Sequence, residues 1–215
     1  MSAYLLLRVP CRLGPHRALN PRIALRRQRG MSLVEISIVA SILLLVAVFG
    51  IPAVRGYVIE FRVPRVGEEV HRFVARMQGQ AWSNDALPYT NMGNATLARA
   101  FEGSSIVITE GADGAAPTLR HGLGQTGRIT AVPAAAAGGV VGSAYRLAFD
   151  AVHDAACPGL AAVLQQAASV VTLQGRGGAV TVKDDTRNPP LPYDGLQALA
   201  ECARGESNRF EFTFR

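Results

Sequence analysis

Glu35 poses a chemical problem by its position. It lies five residues after Gly30 and immediately before residues 36–54, a run without a charge. An ionised carboxylate at membrane depth costs about 3 kcal/mol or more unless a cation is held beside it. Either a partner neutralises the acid or the acid serves the helix that carries it. Ser32 and Glu35 have the S-x-x-E spacing of a capping box, in which hydroxyl and carboxylate satisfy free amides at a helix start. Both roles can hold at once.

The other groups able to do chemistry are scattered. Residues 122–127 read GLGQTG, but a dinucleotide site needs that pattern to leave a strand and open a helix, so that amides face a pyrophosphate. Here RITAVP follows, a strand ending in proline, so the glycines read as a turn between strands. His153 lies near Asp150 and Asp154, and Ser104 and Ser143 are available hydroxyls, yet nothing matches a G-x-S-x-G elbow. His71 and His121 have no supporting neighbours, and no cluster has metal-ligand spacing. Enzymatic activity, a cofactor and a bound metal are therefore not expected. Of three cysteines, Cys11 lies in the basic leader, while Cys157 and Cys202 stand 45 residues apart. That pair suits a structural bridge in an oxidising compartment; the other reading is two buried free thiols.

The elements that hold these residues follow from periodicity. Residues 36–54 number 19, about 28 Å as a helix, close to the apolar thickness of a bilayer. The run is longer than the apolar part of a secretory signal, and no small-residue cleavage site follows it. Beyond Pro52, the residues Val66, Val70, Phe73, Val74 and Met77 recur at helical spacing and form one apolar stripe. The spacing predicts one long bent helix ending near Gly79, with Pro52 and Pro64 each removing a backbone donor. Residues 82–94 read as a loop and 95–101 as two short helical turns. Strands are expected at 104–109, 128–132, 145–149, 170–173 and 179–183. Residues 157–169 and 194–204 read as helices, and 131–144 as a surface loop or weak strand. At the C-terminus Phe210, Phe212 and Phe214 alternate with polar residues, which makes a half-buried strand. The elements sum to an α+β chain with an antiparallel sheet.

The formal charge of +6 invites a nucleic-acid reading until its location is considered. Of 22 basic residues, seven lie in residues 1–30 (Arg8, Arg12, Arg17, Arg22, Arg26, Arg27 and Arg29), with no acid among them. The remaining 15 stand against all 16 acids, a net charge of −1. Little is left there to neutralise a phosphate backbone, and no nucleic-acid partner is expected.

The succession RRQRG, then MSLVE, then the uncharged run to Pro52 resembles the processing signal of a type IV prepilin. Its basic leader, a mature chain opening on Met where many members have Phe, and a mature length of 185 residues (215 less 30) are more similar to the type IVb branch. Conjugative thin pili and toxin-coregulated pili belong to that branch. The resemblance implies cleavage between Gly30 and Met31 by a prepilin peptidase, with N-methylation of Met31. It implies retention of the apolar segment and a leader that stays cytoplasmic. Glu35 then pairs with the terminal amine of an adjacent copy as a new subunit docks. The expected division is a cleaved leader at 1–30, a membrane-spanning and filament-core segment at 31–54, an amphipathic helical half at 55–80 and a globular head at 81–215. The implied fold is that of a type IV pilin, a helical spine packed on an antiparallel sheet with a disulfide-braced C-terminal region. Partners implied are lipid of the bacterial inner membrane, the peptidase, the assembly machinery and other copies of the chain in an extracellular pilus. The resemblance leaves open a minor pilin, a type II secretion pseudopilin, or a periplasmic domain that is anchored but never polymerises.

Overall fold

The computed structural model describes residues 30–81, 87–111 and 117–215. The arginine-rich leader with Cys11, and the start of the loop expected after Gly79, lie outside the described residues. Helix α1 (Leu33–Ala81) is followed by helix α2 (Asn94–Ala100) and strands β1 (Ile108–Glu110), β2 (Thr118–Arg120), β3 (Arg128–Ala135) and β4 (Val141–Val152). Helix α3 (Cys157–Leu164), strands β5 (Val170–Gln174) and β6 (Ala179–Asp184), helix α4 (Gly195–Glu201) and strand β7 (Asn208–Phe214) complete the chain. Helix α1 runs 49 residues, unbroken through Gly50, Pro52 and Pro64.

The seven strands among the described residues join one antiparallel sheet in the order β1-β2-β3-β4-β7-β5-β6. The last strand is thus inserted at the centre, between β4 and β5. Its alternation explains why: Phe210, Phe212 and Phe214 are fully buried. On the opposite face Arg209 pairs with Asp150 and Glu211, and Glu211 also meets Arg146 at 2.9 Å. A strand of period two with one apolar side gains most when both neighbours present the same pattern. In β4, Tyr145, Leu147 and Phe149 do so, opposite Phe214, Phe212 and Phe210.

The sheet's apolar face receives α1. Val66, Val70, Phe73, Val74 and Met77 are buried, as their spacing predicts, and Ile59 and Val63 extend the stripe two turns toward the N-terminus. The Phe73 ring lies 5.7 Å from Phe101 and 6.0 Å from Tyr145. Helix α3 crosses α1 closely enough that a Cβ at Gly67 would stand 2.3 Å from Val163 Cγ1.

Several elements differ from expectation for identifiable reasons. Residues 131–144, read as a loop or weak strand, form the end of β3, a turn and the start of β4, with positive φ at Gly138 and Gly142. Their alanines are buried at Ala131, Ala134 and Ala144, and the Asn94 side-chain oxygen accepts from the Ala131 N–H at 3.0 Å, which holds α2 against β3. The strand expected at 104–109 starts only at Ile108. Before it, the Ser104 hydroxyl accepts from the amides of Ile106 and Val107, replacing ladder bonds by a local turn. Strand β2 was not expected. Helix α3 ends at Leu164 rather than 169, where Lys183 Nζ donates to the carbonyls of Gln165 and Ala168. Helix α4 ends at Glu201 rather than 204 and is capped by Asp194, whose carboxylate accepts from the amides of Leu196 and Gln197.

Candidate functional site

The chain's most unusual surface is the first half of α1. Met31 is 62% exposed, Leu33 86% and Phe49 72%, and apolar side chains between them are exposed as well. Among the described residues this is the one helix long and apolar enough to cross a membrane. A contiguous apolar surface of this size marks an interface or a membrane contact. Ser37 and Ser41, polar for such a run, donate to the carbonyls of Val34 and Ser37, each at 2.8 Å. Their hydroxyls are thereby satisfied inside the helix and add little cost in an apolar surrounding.

Glu35 lies in the first turn and is exposed. The first helical bond runs from the Ile36 N–H to the Ser32 carbonyl at 3.1 Å. Neither the Ser32 hydroxyl nor the Glu35 carboxylate makes a side-chain hydrogen bond among the described residues, so the capping box open to the S-x-x-E spacing does not close. The acid keeps its favourable position in the field of the helix N-terminus, yet it has no local donor. Gly30 and Met31 precede the helix, with nothing within 4 Å of a Cβ placed at Gly30.

Further along α1 a cleft of about 850 Å³ opens between residues 43–62 of the helix and the head. Its head-side wall is Ile108, Arg120, Glu206 and the turn at Gly122, Gly124 and Gln125. That turn is the GLGQTG segment, a turn between strands as the sequence implies, and the strand before it is the unexpected β2. The turn is held from within by His121, which is fully buried. The imidazole Nδ1 accepts from the Leu123 N–H at 3.0 Å, so Nε2 carries the proton and donates to the Asp150 carbonyl at 2.8 Å. Burial pushes His121 below the ordinary histidine value, against the opposing pull of the Asp150 carbonyl. A Cβ at Gly127 would meet the ring at 2.1 Å, and one at Gly124 would meet the Ala151 carbonyl at 2.2 Å. These glycines are therefore needed for close packing, not for a pyrophosphate. From outside, Arg62 donates to the Gly122 carbonyl, Arg120 to the Gln125 carbonyl, and Glu206 accepts from the Gln125 N–H. His121 had no supporting neighbour in the sequence; three glycines within six positions after it are the signal of a ring covered by backbone.

The remaining candidates take structural places. His153 Nδ1 lies 2.6 Å from the Asp154 carboxylate, which accepts from the Ala155 N–H, within the turn that leads into α3. Ser104 donates to Glu69 on α1 at 2.5 Å, and Ser143 donates to the Val140 carbonyl inside the β3–β4 turn. His71 Nε2 lies 3.1 Å from the Val163 carbonyl, at the crossing of α1 and α3. These groups do not converge. Among the described residues no three His, Cys, Asp or Glu side chains are placed to hold a metal ion. Cys157 and Cys202 are bonded to each other, with Cα atoms 6.0 Å apart, and join the start of α3 to the end of α4.

No protein-family model and no curated protein matches the chain. Among solved structures, the type IVb pilin from Salmonella typhi is similar over 71% of this chain and 99% of its own, with a TM-score of 0.51 and 14% sequence identity. A long N-terminal helix, an antiparallel sheet on its amphipathic half, and a disulfide tying the C-terminal region together are what this chain brings to that likeness. The chain has the α+β fold of a type IV pilin.

Proposed function

We propose that this chain is the structural subunit of a type IVb-like pilus, processed between Gly30 and Met31 and polymerised through its N-terminal helix. The observation that carries the reading is the exposed apolar surface of residues 31–51, which has one acid, Glu35, and no donor for it among the described residues. Such a surface is stable in lipid, or against the same surface of other copies, and not in water. The subunit waits as a single pass in the bacterial inner membrane with its head in the periplasm. It then moves into a filament where apolar segments cover one another. Head-to-tail contacts of this kind do not close and therefore propagate. Pro52 supplies a bend where the apolar segment gives way to the amphipathic one. The protein catalyses nothing; its partners are the prepilin peptidase, the assembly machinery and itself.

Desolvation supplies the direction of assembly. In lipid Glu35 bears a cost of about 3 kcal/mol or more, which is relieved only when the terminal amine of another copy arrives. Intact mass and N-terminal sequencing of the natural product should give a chain beginning at a methylated Met31. Glu35→Ala should abolish filaments while leaving the membrane-inserted subunit in place. An unchanged filament yield from that variant would remove the docking role and leave a membrane-anchored domain.

A further inference from the structure

We infer that the turns of α1 directly after the uncharged run form a docking surface for anionic phospholipid headgroups, which seats the head on the membrane. The inference rests on the membrane-spanning reading given above. Val54 ends the uncharged run and Arg55 is the first charge after it. Residues 55–65 hold three arginines, Arg55, Arg62 and Arg65, against one acid, Glu60, although the chain from Met31 onward is negative by one charge. Arg55 makes no ion pair among the described residues.

At this level α1 shows two different faces. Ile59 and Val63 are buried against the head, while Tyr57 is 72% exposed and Phe61 64%. The two rings lie four residues apart, on one side of the helix. The Arg65 guanidinium stands 5.7 Å from the centre of the Phe61 ring and makes no ion pair among the described residues. Tyr57, Phe61, Arg62 and Arg65 share an open cleft of about 550 Å³ with Ile106 and Ile108 of the head, and Ile108 is itself exposed. A soluble head gains nothing from leaving two aromatic rings and an isoleucine uncovered. The same set fits the boundary of a bilayer, where aromatic rings sit at headgroup level and the planar fork of arginine matches a phosphate. Juxtamembrane cations are attracted to an anionic leaflet, and their first partner here is the lipid phosphate. The shared surface of helix and head would fix how the head rests before assembly.

The test uses the mature chain in vesicles, with Phe61→Trp as reporter and Trp82, the chain's one native tryptophan, replaced by phenylalanine. Quenching is compared between phosphatidylcholine and phosphatidylglycerol, each brominated near the headgroup and present at equal mole fraction. The expected result is an anionic preference of about fivefold per engaged arginine. Replacing Arg55, Arg62 and Arg65 together by glutamine should abolish the preference, and replacing all three by lysine should keep most of it. Equal quenching by both lipids, or a preference that survives the triple glutamine variant, overturns the inference. A second reporter, Val46→Trp, separates the two readings. If it is not quenched by lipid brominated near the chain ends, the membrane-spanning reading fails. If it is quenched while the Phe61→Trp reporter shows no preference, only the docking surface fails.

Discussion

The crossing of α1 over α3 makes a quantitative prediction about Gly67. Glycine inside a helix costs about 1 kcal/mol relative to alanine, so Gly67→Ala alone on a free helix should stabilise by that amount. Here the added methyl would sit 2.3 Å from Val163 Cγ1, about 1 Å inside the closest ordinary approach. Val163 cannot turn away easily, because a β-branched side chain on a helix has one strongly preferred rotamer. Nor can α3 retreat, since Cys157 is bonded to Cys202 and Leu160 and Leu164 are buried in the core. Retreat would also stretch the contact of His71 with the Val163 carbonyl. Overpacking of this kind costs about 1–3 kcal/mol, so a central value near 2 less the propensity gain leaves a net loss of about 1 kcal/mol. In a Val163→Ala background the clash is gone and Gly67→Ala should stabilise by about 1 kcal/mol. The coupling in the double-mutant cycle is then about 2 kcal/mol. Urea unfolding of the full chain in detergent, followed by near-ultraviolet circular dichroism, reads all four corners. Stabilisation by Gly67→Ala of equal size in both backgrounds would refute the close crossing.

Three further outcomes are expected. Replacing Cys157 and Cys202 together by serine opens a loop of 45 residues and should lower stability by about 4 kcal/mol, read from the urea midpoint; a loss under about 1 kcal/mol would show that the bridge constrains little. The Tyr145 hydroxyl is buried with no hydrogen-bond partner, and burial raises its pKa far above the ordinary tyrosine value, with Tyr89 adding to the shift. Tyr145→Phe should therefore gain about 1 kcal/mol at neutral pH. Above pH about 10 the unfolded chain releases this proton and the folded chain keeps it, so wild-type stability falls by up to about 1.4 kcal/mol per pH unit on this account. The phenylalanine variant should lack that part of the alkaline slope, and an unaltered slope would show that the hydroxyl reaches water. For His121 the sign is reversed: its folded pKa is lowered, so only the unfolded state takes up a proton as pH falls below about 6.5. Stability should decline on that side, and a ring resonance titrating at or above the ordinary histidine value would contradict the neutral, doubly bonded imidazole.

What was legible in the sequence is what burial alone determines. The stripe Val66, Val70, Phe73, Val74 and Met77 announces its helix because a core on one side imposes the period of 3.6. The three C-terminal phenylalanines announce their strand because a sheet imposes the period of two. The cysteine pair needed only parity and spacing. Residues 131–144 were ambiguous for the opposite reason: alanine and glycine carry little periodic information and have no preference for strands. Their extended form comes from partners elsewhere, Asn94 on the Ala131 amide and the long ladder with β4.

The same distinction governs the candidate site. Glu35 was legible because the charge pattern around it is extreme, but its role at the helix start was not. The S-x-x-E spacing permits a capping box, and the structure leaves that box open. This strengthens the case for a partner outside the subunit. A carboxylate already holding its own helix amides would be partly compensated in lipid and would gain less from a second copy's amine. On the filament reading, an unbonded Glu35 would retain its whole desolvation cost until a second copy arrived, and that cost is the driving force the reading requires. Ser37 and Ser41 make the contrast, since their hydroxyls bond back to the preceding turn and ask nothing of a neighbour. Within one apolar segment Ser37 and Ser41 are satisfied internally while Ser32 and Glu35 are not, and of those two only Glu35 carries a charge. Ser37→Ala and Ser41→Ala should therefore leave filament yield unchanged where Glu35→Ala abolishes it, and a loss of filaments in either serine variant would break that argument.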